Sequence, residues 1–194
     1  MEVEIFDKME ECTEAEVQRM LPLVSVQRRE QALKYKHVFG QFCCLKSWLI
    51  LEETIRLMSR ECLDKVLRGL SNFAYSEHGK PFIPNGPCFS ISHCKEGIAV
   101  VVDDKPVGID IEGVRRADDD LIVRTMNKAE QEQIRNAENR DRAFTRLWTQ
   151  KEAVVKCEGV GICSFEQLQS VLRPEYTVET VETEKYIYSI AYKK

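Results

Sequence analysis

Two helical patterns open the chain before any strand pattern begins. Residues 13–35 are polar with apolar positions interspersed, and they predict a helical segment. The stretch 41–58 places Leu45, Trp48 and Leu49 at helical spacing and predicts a long buried helix. The segment SEHGKPFIPNGPCF that follows is dense in Gly and Pro, and it predicts a loop without regular structure.

Three short β-rich runs come next, at residues 89–92, 97–102 and 106–111. The sequences CKEG and DDKP separate them and are typical of turns. The three runs therefore predict an antiparallel meander.

Helical patterns return after these strands. Residues 119–138 predict one helix, entered through one of the aspartates at 118, 119 and 120 as its N-cap. A second helix is predicted from about residue 140 to residue 157, with a stop at Gly159. The ending KYIYSIAYKK alternates and predicts a final strand.

The order of helices, strands, helices and a strand predicts an α+β fold rather than a doubly wound parallel sheet. A division near residue 104 gives two segments, residues 1–103 and residues 104–194, each with helix and sheet. The length of 194 residues suits one ordinary domain or two small ones that share a core.

Composition and charge exclude several classes of protein. The chain is 43% hydrophobic and 31% charged, as soluble globular proteins are. No apolar run approaches the roughly 20 residues that a bilayer requires, and the acidic N-terminus lacks a signal-peptide pattern. We therefore expect a cytoplasmic protein without membrane contact. The net charge of −4 argues against a nucleic-acid partner.

The eight cysteines carry no signature of a metal or disulfide site. They form no CxxC pair, and the chain has only three histidines. Several lie in apolar runs such as QFCCLKSWLIL, where cysteine packs as a small hydrophobic residue. We expect reduced cysteines with a structural role.

Two acidic residues share one face of the strand predicted for GIDIE. Residues two apart in a strand point the same way, so Asp110 and Glu112 lie together while Ile109 and Ile111 face the other side. Like charges on one face repel unless solvent or a cation separates them. The pair alone fits either a solvated strand or a cation site.

The helix DRAFTRLWTQKEAVVK adds a third carboxylate. Its apolar face, which includes Trp148 and Val155, contains Lys151 and has Glu152 at its margin. Buried charges require charged partners. An ion pair within the helix is one alternative, but neighbours at i and i+1 do not face each other, so Asp110 and Glu112 on the strand are the natural partners in a shared site. Three carboxylates, phosphate oxygens and water form a typical magnesium environment.

Basic side chains suited to an anion occur in the neighbouring segments. Lys80 lies in the GKP loop, His93 ends FSISH, and Lys156 follows Glu152 by one helical turn. Considered alone, His93 is better interpreted as a structural histidine than as an anion-binding residue. Together, these cations form a candidate cradle for phosphate, because charge-assisted hydrogen bonds are strong.

Four sequence blocks occur in order: GKP at 79–81, FSISH at 89–93, VGIDIE at 107–112 and WTQKEAVVKCEGVGI at 148–162. This set resembles the Sfp-type 4′-phosphopantetheinyl transferases, and the last two blocks are the most specific signature of that family. The similarity covers residues 73–165 well and the N-terminal region loosely.

The resemblance implies a pseudo-twofold arrangement of two similar α+β subdomains with coenzyme A bound in the cleft between them. Asp110, Glu112 and Glu152 would hold Mg²⁺, or Mn²⁺ in its place, together with the pyrophosphate, which Lys156 would contact. Residues 1–103 would form the nucleotide side of the cleft, and residues 104–194 the metal site and the carrier docking surface.

The nucleotide contacts follow from the same resemblance. Ser92 and His93 would contact the region of the 3′-phosphate, with Lys80 in the same wall of the cleft. Arg28, in RRE, is a further candidate for nucleotide binding.

Two further family positions have candidate counterparts in this chain. Glu130 occupies the place of an acidic residue near the active site. For a basic residue on the helix after RRE, Gln41 and Lys46 are alternatives in different registers.

The implied reaction is the attack of a serine hydroxyl of an apo acyl or peptidyl carrier protein on the β-phosphorus of coenzyme A, which releases adenosine 3′,5′-bisphosphate. Asp110, Glu152 and Lys156 are the candidate catalytic residues, with Glu152 as the base, directly or through a water. Lys151 is expected to orient Glu152 or the phosphate.

The resemblance also implies a monomer and an acidic carrier as its partner. The helix predicted at 119–138 is the candidate docking surface, with Met126 beside Arg124 and Lys128. Core packing is an equally good interpretation of Met126.

Two rival functions remain open. A metal-dependent nuclease would use Asp110 and Glu152 in a D…ExK site, but Val154 stands where that site requires a lysine, and the net charge is negative. The second rival is a homologue that binds coenzyme A without transferring from it, against which the three carboxylates and Lys156 count.

Overall fold

The described region of the computed structural model comprises residues 1–58, 73–161 and 164–194, and it contains six α-helices and eight β-strands. The helices are α1 (Glu14–Met20), α2 (Val26–Leu33), α3 (Val38–Met58), α4 (Asp119–Thr125), α5 (Lys128–Arg135) and α6 (Arg140–Glu158). The strands are β1 (Glu2–Phe6), β2 (Ala74–Tyr75), β3 (Pro81–Phe82), β4 (Cys88–His93), β5 (Ile98–Asp103), β6 (Val107–Gly113), β7 (Tyr176–Glu182) and β8 (Tyr186–Lys193). The predicted α+β class is confirmed.

An antiparallel sheet with the strand order β1–β5–β4 forms the centre of the first half of the chain. Helix α3 packs against it and buries Phe42, Leu45 and Trp48 in a cluster that also contains Phe89 of β4. The long buried helix predicted at 41–58 is confirmed, although it begins earlier, at Val38.

The second half has an antiparallel sheet with the order β6–β8–β7. Helix α6 packs against it with Phe144, Leu147 and Trp148 in a second apolar cluster. Gly159 ends α6 in the left-handed conformation at φ 74°, which confirms the predicted stop.

The two halves repeat one topology. In each, a strand is followed by the packing helix and then by two antiparallel strands, the last of which takes the centre of the sheet: β1, α3, β4 and β5 in the first, β6, α6, β7 and β8 in the second. The boundary expected near residue 104 falls in the turn between β5 and β6, and the division into two subdomains stays a prediction.

A third apolar cluster joins the two sheets. It contains Ala99 and Val101 of β5 together with Ile109 and Ile111 of β6, and none of these side chains is exposed. The backbone N–H of Ile109 donates to the hydroxyl of Ser90, 3.1 Å away in β4. The alternation in GIDIE therefore has the predicted effect: its isoleucines are buried between the sheets.

The predicted three-strand meander is wrong in its last strand. β4 and β5 pair as expected, but β6 pairs with β8 in the other sheet. The physical reason is that β1 and β4 already occupy both edges of β5. The pattern of residues 89–111 does not reveal this, because β1 comes from the N-terminus.

The helix predicted at 119–138 is two helices, α4 and α5. Asp118 caps the first, as expected, by accepting from the N–H of Leu121 at 2.7 Å. Asn127 begins the second: its side chain accepts from the N–H of Glu130, whose carboxylate accepts from the N–H of Asn127. This capping box was a readable signal for a new helix.

Three further differences concern local structure. The helical segment predicted at 13–35 is divided into α1 and α2 by a 3₁₀ turn that contains Pro22. Strand β7 was not predicted. The short strand β3 lies within the Gly- and Pro-rich region that was predicted to be irregular, and it pairs with β2, which directly precedes that region.

The described cysteines are all free: Cys12, Cys43, Cys44, Cys88, Cys94 and Cys157. Cys62 and Cys163 lie outside the described residues. Among the described helices, none combines the length and the apolar character that crossing a bilayer requires.

We predict that Gly108→Ala lowers the free energy of unfolding by about 3 kcal/mol, the upper end of the usual cost of overpacking. A Cβ at this position of β6 would lie 2.0 Å from the carbonyl oxygen of Ala153 and 2.4 Å from the backbone nitrogen of Cys157, so α6 would have to move away from the sheet. Urea denaturation measures the loss.

Gly113→Ala, on the same strand, is the matched control. Its Cβ would meet the carboxylate of the Glu96 side chain, which can rotate away, so the loss should be smaller. Equal losses in the two variants would show that the packing of β6 against α6 at Gly108 is not the constraint.

Candidate active site

A buried carboxylate from β6 lies where the two halves meet. Asp110 is 3% exposed, and its Oδ1 accepts from the hydroxyl of Ser92 at 2.8 Å and from the ammonium of Lys156 at 2.6 Å. Lys156 Nζ also donates to Ser92 Oγ at 2.9 Å. The three side chains come from β6, β4 and α6, so both halves contribute.

The local sequence explains this placement. Since Ile109 and Ile111 are buried between the sheets, the alternation of the strand turns Asp110 toward α6. Gly108, also on β6, has no Cβ, which allows α6 to approach closely. Lys156, in the last turn of α6, is thereby held against the aspartate.

Two further carboxylates interact with Asp110. Burial first, and then the charge of Asp110, raises the pKa of Glu152 to about 7, while Lys156 opposes the shift. The pKa of Glu112 is raised by the same two causes in the same order. We define these three residues, Asp110, Glu112 and Glu152, as the carboxylate cluster. Asp110 adds to the cost of charging both glutamates, and Glu112 adds to the cost of charging Glu152.

The cluster has the chemistry of a cation site but is not preassembled as one. In residues 1–58, 73–161 and 164–194, no three His, Cys, Asp or Glu side chains are spaced to hold a metal ion together. However, Asp110 Oδ2 is buried and has no hydrogen-bond partner. An unpartnered carboxylate oxygen beside two more carboxylates fits a hard divalent cation, which prefers oxygen ligands.

A cavity of about 410 Å³ opens beside the cluster. It is lined by residues of both halves: His78, Gly79, Lys80, Pro81, Phe89, Ser90, Ile91, Glu152, Val155, Lys156, Gly159 and Gly161. The GKP loop, Glu152 and Lys156 therefore line one cavity between the two halves, and its identity as a coenzyme A cleft stays a prediction.

Lys80 is held inside this cleft by backbone carbonyls. Its Nζ donates to the oxygen of Lys156 at 2.5 Å and to that of Val107 at 3.2 Å. Burial lowers the pKa of Lys80. The side chain thus ties the end of α6 to the start of β6, and its predicted contact with the nucleotide stays a prediction.

His93 lies at the exposed end of β4, next to Ser92. Its ring packs edge-on against Phe39, with 6.0 Å between the centroids. The two largest effects both lower the pKa of His93: the larger is the partial removal of water from the ring by the surrounding protein, and the smaller is the charge of Lys156. His93 lines a different cavity, of about 720 Å³, in which Lys36, His37 and Lys95 occur beside apolar side chains such as Phe39.

Arg28 lies in the core of the first half. Its Nε and Nη2 donate to the carbonyl of Cys44 at 3.0 and 2.8 Å, and its guanidinium lies 4.4 Å from the ring centroid of Trp48. These are the contacts of a buried structural arginine, and the predicted nucleotide contact stays a prediction.

The two alternatives on α3 are also engaged elsewhere. Gln41 donates to the carbonyl of Tyr35 at 2.9 Å. Lys46 pairs with Glu11 at 3.6 Å and lies over the ring of Phe6.

The expectation that Lys151 orients Glu152 or the phosphate is wrong. Lys151 is fully buried, and its Nζ contacts Glu130 at 2.8 Å and the carbonyl of Leu168 at 2.5 Å. Consecutive helical residues project about 100° apart, so Lys151 and Glu152 face different surroundings. Glu130 is correspondingly a core partner of Lys151 rather than a residue of the cluster.

Met126 does not form an exposed docking surface. Its side chain has no exposed area and packs in the apolar cluster of the second half. The reason is the break between α4 and α5, where Met126 takes an extended backbone conformation.

Sequence reasoning missed Arg115, which follows VGIDIE. Its guanidinium lies 4.9 Å from the ring centroid of Trp148, and its charge lowers the pKa values of both Glu112 and Glu152. The arginine pair directly after the acidic strand was the available signal.

The chain is similar to known proteins of one family. Residues 106–193 match the model of the 4′-phosphopantetheinyl transferase superfamily. The chain is 32% identical over 151 residues to a 4′-phosphopantetheinyl transferase of Bacillus subtilis, an alignment that covers 76% of this chain and 65% of the relative.

Two other relatives are similar in extent. Identity is 27% over 154 residues with the 4′-phosphopantetheinyl transferase Sfp of Bacillus subtilis strain 168, covering 77% of this chain and 66% of the relative. Identity is 34% over 124 residues with the 4′-phosphopantetheinyl transferase AcpT of Salmonella typhi, and this alignment covers 60% of this chain and 64% of the relative. The chain thus spans slightly less than two thirds of each relative's length. These similarities confirm the resemblance inferred from the four sequence blocks.

We predict a pH-dependent stability of the metal-free protein that depends on Glu152. Its pKa is raised from 4.5 to about 7 on folding, so the folded state retains a proton that the unfolded state loses. The free energy of unfolding should therefore fall as the pH rises from about 4.5 to about 7 and level off above that. The contribution is at most about 3 kcal/mol.

Urea denaturation in the presence of a chelator measures this at several pH values. Glu152→Gln should flatten the curve, whereas Glu138→Gln, at an exposed position, should leave it as in the parent protein. A parent and a Glu152→Gln variant with the same pH dependence would contradict the prediction.

Proposed function

We propose, on the premise that the chain belongs to the 4′-phosphopantetheinyl transferase superfamily, that it transfers the 4′-phosphopantetheine group of coenzyme A to a serine of an apo acyl or peptidyl carrier protein and releases adenosine 3′,5′-bisphosphate. The observation that carries the proposal is the contact of Asp110 with Ser92 and Lys156 at the junction of the halves, beside a cleft. An acidic and a basic group in contact beside a cleft support a binding site for a diphosphate.

Lys156 would bind the diphosphate. Its side chain is 28% exposed and also lines the cavity, so its ammonium has an open side for phosphate oxygens. Ser92 and His93 lie next to it on β4 and would extend this contact toward the nucleotide. Charge-assisted hydrogen bonds to phosphate are short and strong, which suits a reaction that depends mainly on positioning.

The carboxylate cluster would hold a divalent cation, for which we propose Mg²⁺, with Mn²⁺ as a substitute. When bound, the cation would neutralise charge on the diphosphate. Asp110 Oδ2 is the oxygen best placed for it, because Oδ1 is already paired with Ser92 and Lys156. Arg115 would limit the negative charge at the outer edge of the cluster.

Glu152 would accept the proton of the attacking serine. In the metal-free protein, burial and the charge of Asp110 raise the pKa of Glu152 to about 7, and a bound cation would lower this pKa and favour the carboxylate form that accepts a proton. Glu152 also lines the cavity, so a hydroxyl in the cleft can reach it. Lys80 would fix the end of α6, and with it Lys156, against β6.

The carrier, the compartment and the oligomeric state complete the proposal. We infer an acidic carrier protein as partner and a monomeric, cytoplasmic enzyme. Free thiols at all described cysteines suit a reducing compartment.

The two rivals have less support. A nuclease of the D…ExK type lacks its lysine, because residue 154 is a valine, and the net charge of −4 does not favour DNA. A homologue that only binds coenzyme A would have no need for the unpartnered oxygen of Asp110 beside two other carboxylates.

We predict that Asp110→Asn lowers the rate of carrier modification by a factor of about 100 or more, while the fold is retained. Asparagine preserves the shape and most hydrogen bonds of the buried side chain but removes its charge. The measurement is incubation with coenzyme A, Mg²⁺ and a panel of apo carrier proteins, followed by the mass of the intact carrier.

Asp118→Asn is the matched control, because asparagine also serves as an N-cap and the residue lies at the start of α4. Its activity should equal that of the parent. Full activity of Asp110→Asn would reject the site. A parent that modifies no carrier would reject the function: Mg²⁺-dependent DNA cleavage would then favour the nuclease, and tight binding of coenzyme A without transfer would favour the binding homologue.

A further inference from the structure

Lys156 places a positive charge directly on the group of residues that would hold the cation. Its Nζ lies 2.6 Å from Asp110 Oδ1 and 2.9 Å from Ser92 Oγ, and the Asp110 side chain beneath it is only 4% exposed. The distances are those of a charge-assisted hydrogen bond in a site with little water. The ammonium therefore already neutralises some of the charge of the cluster.

The two oxygens of Asp110 have different roles. Oδ1 accepts from both Lys156 and Ser92, whereas Oδ2 is buried without a hydrogen-bond partner. A cation that binds at Oδ2 would share the carboxylate with the ammonium and lie a few ångströms from it. Repulsion between the two positive charges is screened poorly in a buried site.

Lys156 cannot relieve this repulsion by moving with its backbone. The carbonyl oxygen of Lys156 accepts from Lys80 Nζ, which is bound at the same time to Val107 of β6. The absence of a Cβ at Gly108 also allows α6 to lie close to β6. Only the side chain of Lys156 is left to respond, and its exposed portion faces the cleft.

A diphosphate in the cleft would change this balance. Its oxygens carry negative charge and would pair with the ammonium on its open side, which offsets the repulsion that a cation meets at Asp110 Oδ2. Occupation of the cleft and of the cation site would then favour each other, and such coupling is reciprocal.

We infer that Lys156 is a resident cation of the carboxylate cluster, which keeps the affinity for a free divalent cation low and allows tight binding only together with the diphosphate of the substrate. This inference rests on the proposed function for the identity of the diphosphate. Its consequence for the cation alone can be measured without any carrier.

The test is a titration of the metal-free protein with Mn²⁺ alone, followed by electron paramagnetic resonance of the free ion. Lys156→Met removes the charge, and Lys156→Gln removes the charge while retaining a hydrogen-bond donor toward Asp110 and Ser92. Both variants should bind Mn²⁺ at least about tenfold more tightly than the parent, within the usual range of coupling between sites.

Lys46→Met is the matched control. It removes one lysine charge from an ion pair with Glu11 in the first half, away from the cluster, so the affinity for Mn²⁺ should stay within about twofold of the parent value. A gain in all three variants would mean a general effect of net charge and would overturn the inference.

A second measurement remains informative if the variants are less stable than the parent protein. Mn²⁺ should raise the melting temperature of Lys156→Gln by more than that of the parent, because a ligand that binds the folded state more tightly stabilises it more. Folded Lys156 variants with the affinity of the parent or a lower one would overturn the inference.

Failure of the inference differs from failure of the proposed function. If the parent modifies a carrier but neither Lys156 variant gains affinity for Mn²⁺, the function stands and Lys156 has no role as a resident cation. If both variants gain affinity while no carrier is modified, Lys156 does restrain the cation site and the proposed reaction is wrong.

Discussion

The burial of one carboxylate at the junction of two sheets is the constraint on which the candidate site depends. Asp110 gives up water on all sides, and one of its oxygens regains partners from both halves of the chain, Ser92 and Lys156. A buried carboxylate without such partners would be too costly to keep charged. The other oxygen stays without a hydrogen-bond partner, and the proposed cation site rests on this imbalance.

The architecture supplies what this carboxylate requires. The repeated topology places one helix on each sheet and leaves the sheets joined through the apolar residues of β5 and β6. Ile109 and Ile111 bind β6 to the first half, and the same alternation turns Asp110 toward α6. The alternation of side chains along β6 thus has two consequences: it packs the isoleucines in the core and directs Asp110 toward α6.

The same helix carries two charged residues with opposite roles. Lys151 is neutralised by Glu130 within the core, where the pair supports the packing of α5 on α6. Glu152, the next residue, lies beside carboxylates instead of a cation partner of its own, and its pKa is raised to about 7. Unfavourable electrostatics of this kind is typical of functional sites, since it is stable only when the rest of the fold enforces it.

Local patterns in the sequence determined the α+β class, the buried helix α3, the strands β4, β5, β6 and β8, and the end of α6 at Gly159, because alternation, helical spacing and turn residues act between near neighbours. The four motif blocks also carried the resemblance to the 4′-phosphopantetheinyl transferases. Only the tertiary structure decided that β6 leaves β5 for β8, that Met126 is buried, and that Glu130 rather than a strand carboxylate neutralises Lys151. These outcomes depend on which edges and faces distant segments have already occupied, and a single stretch of sequence does not contain that information.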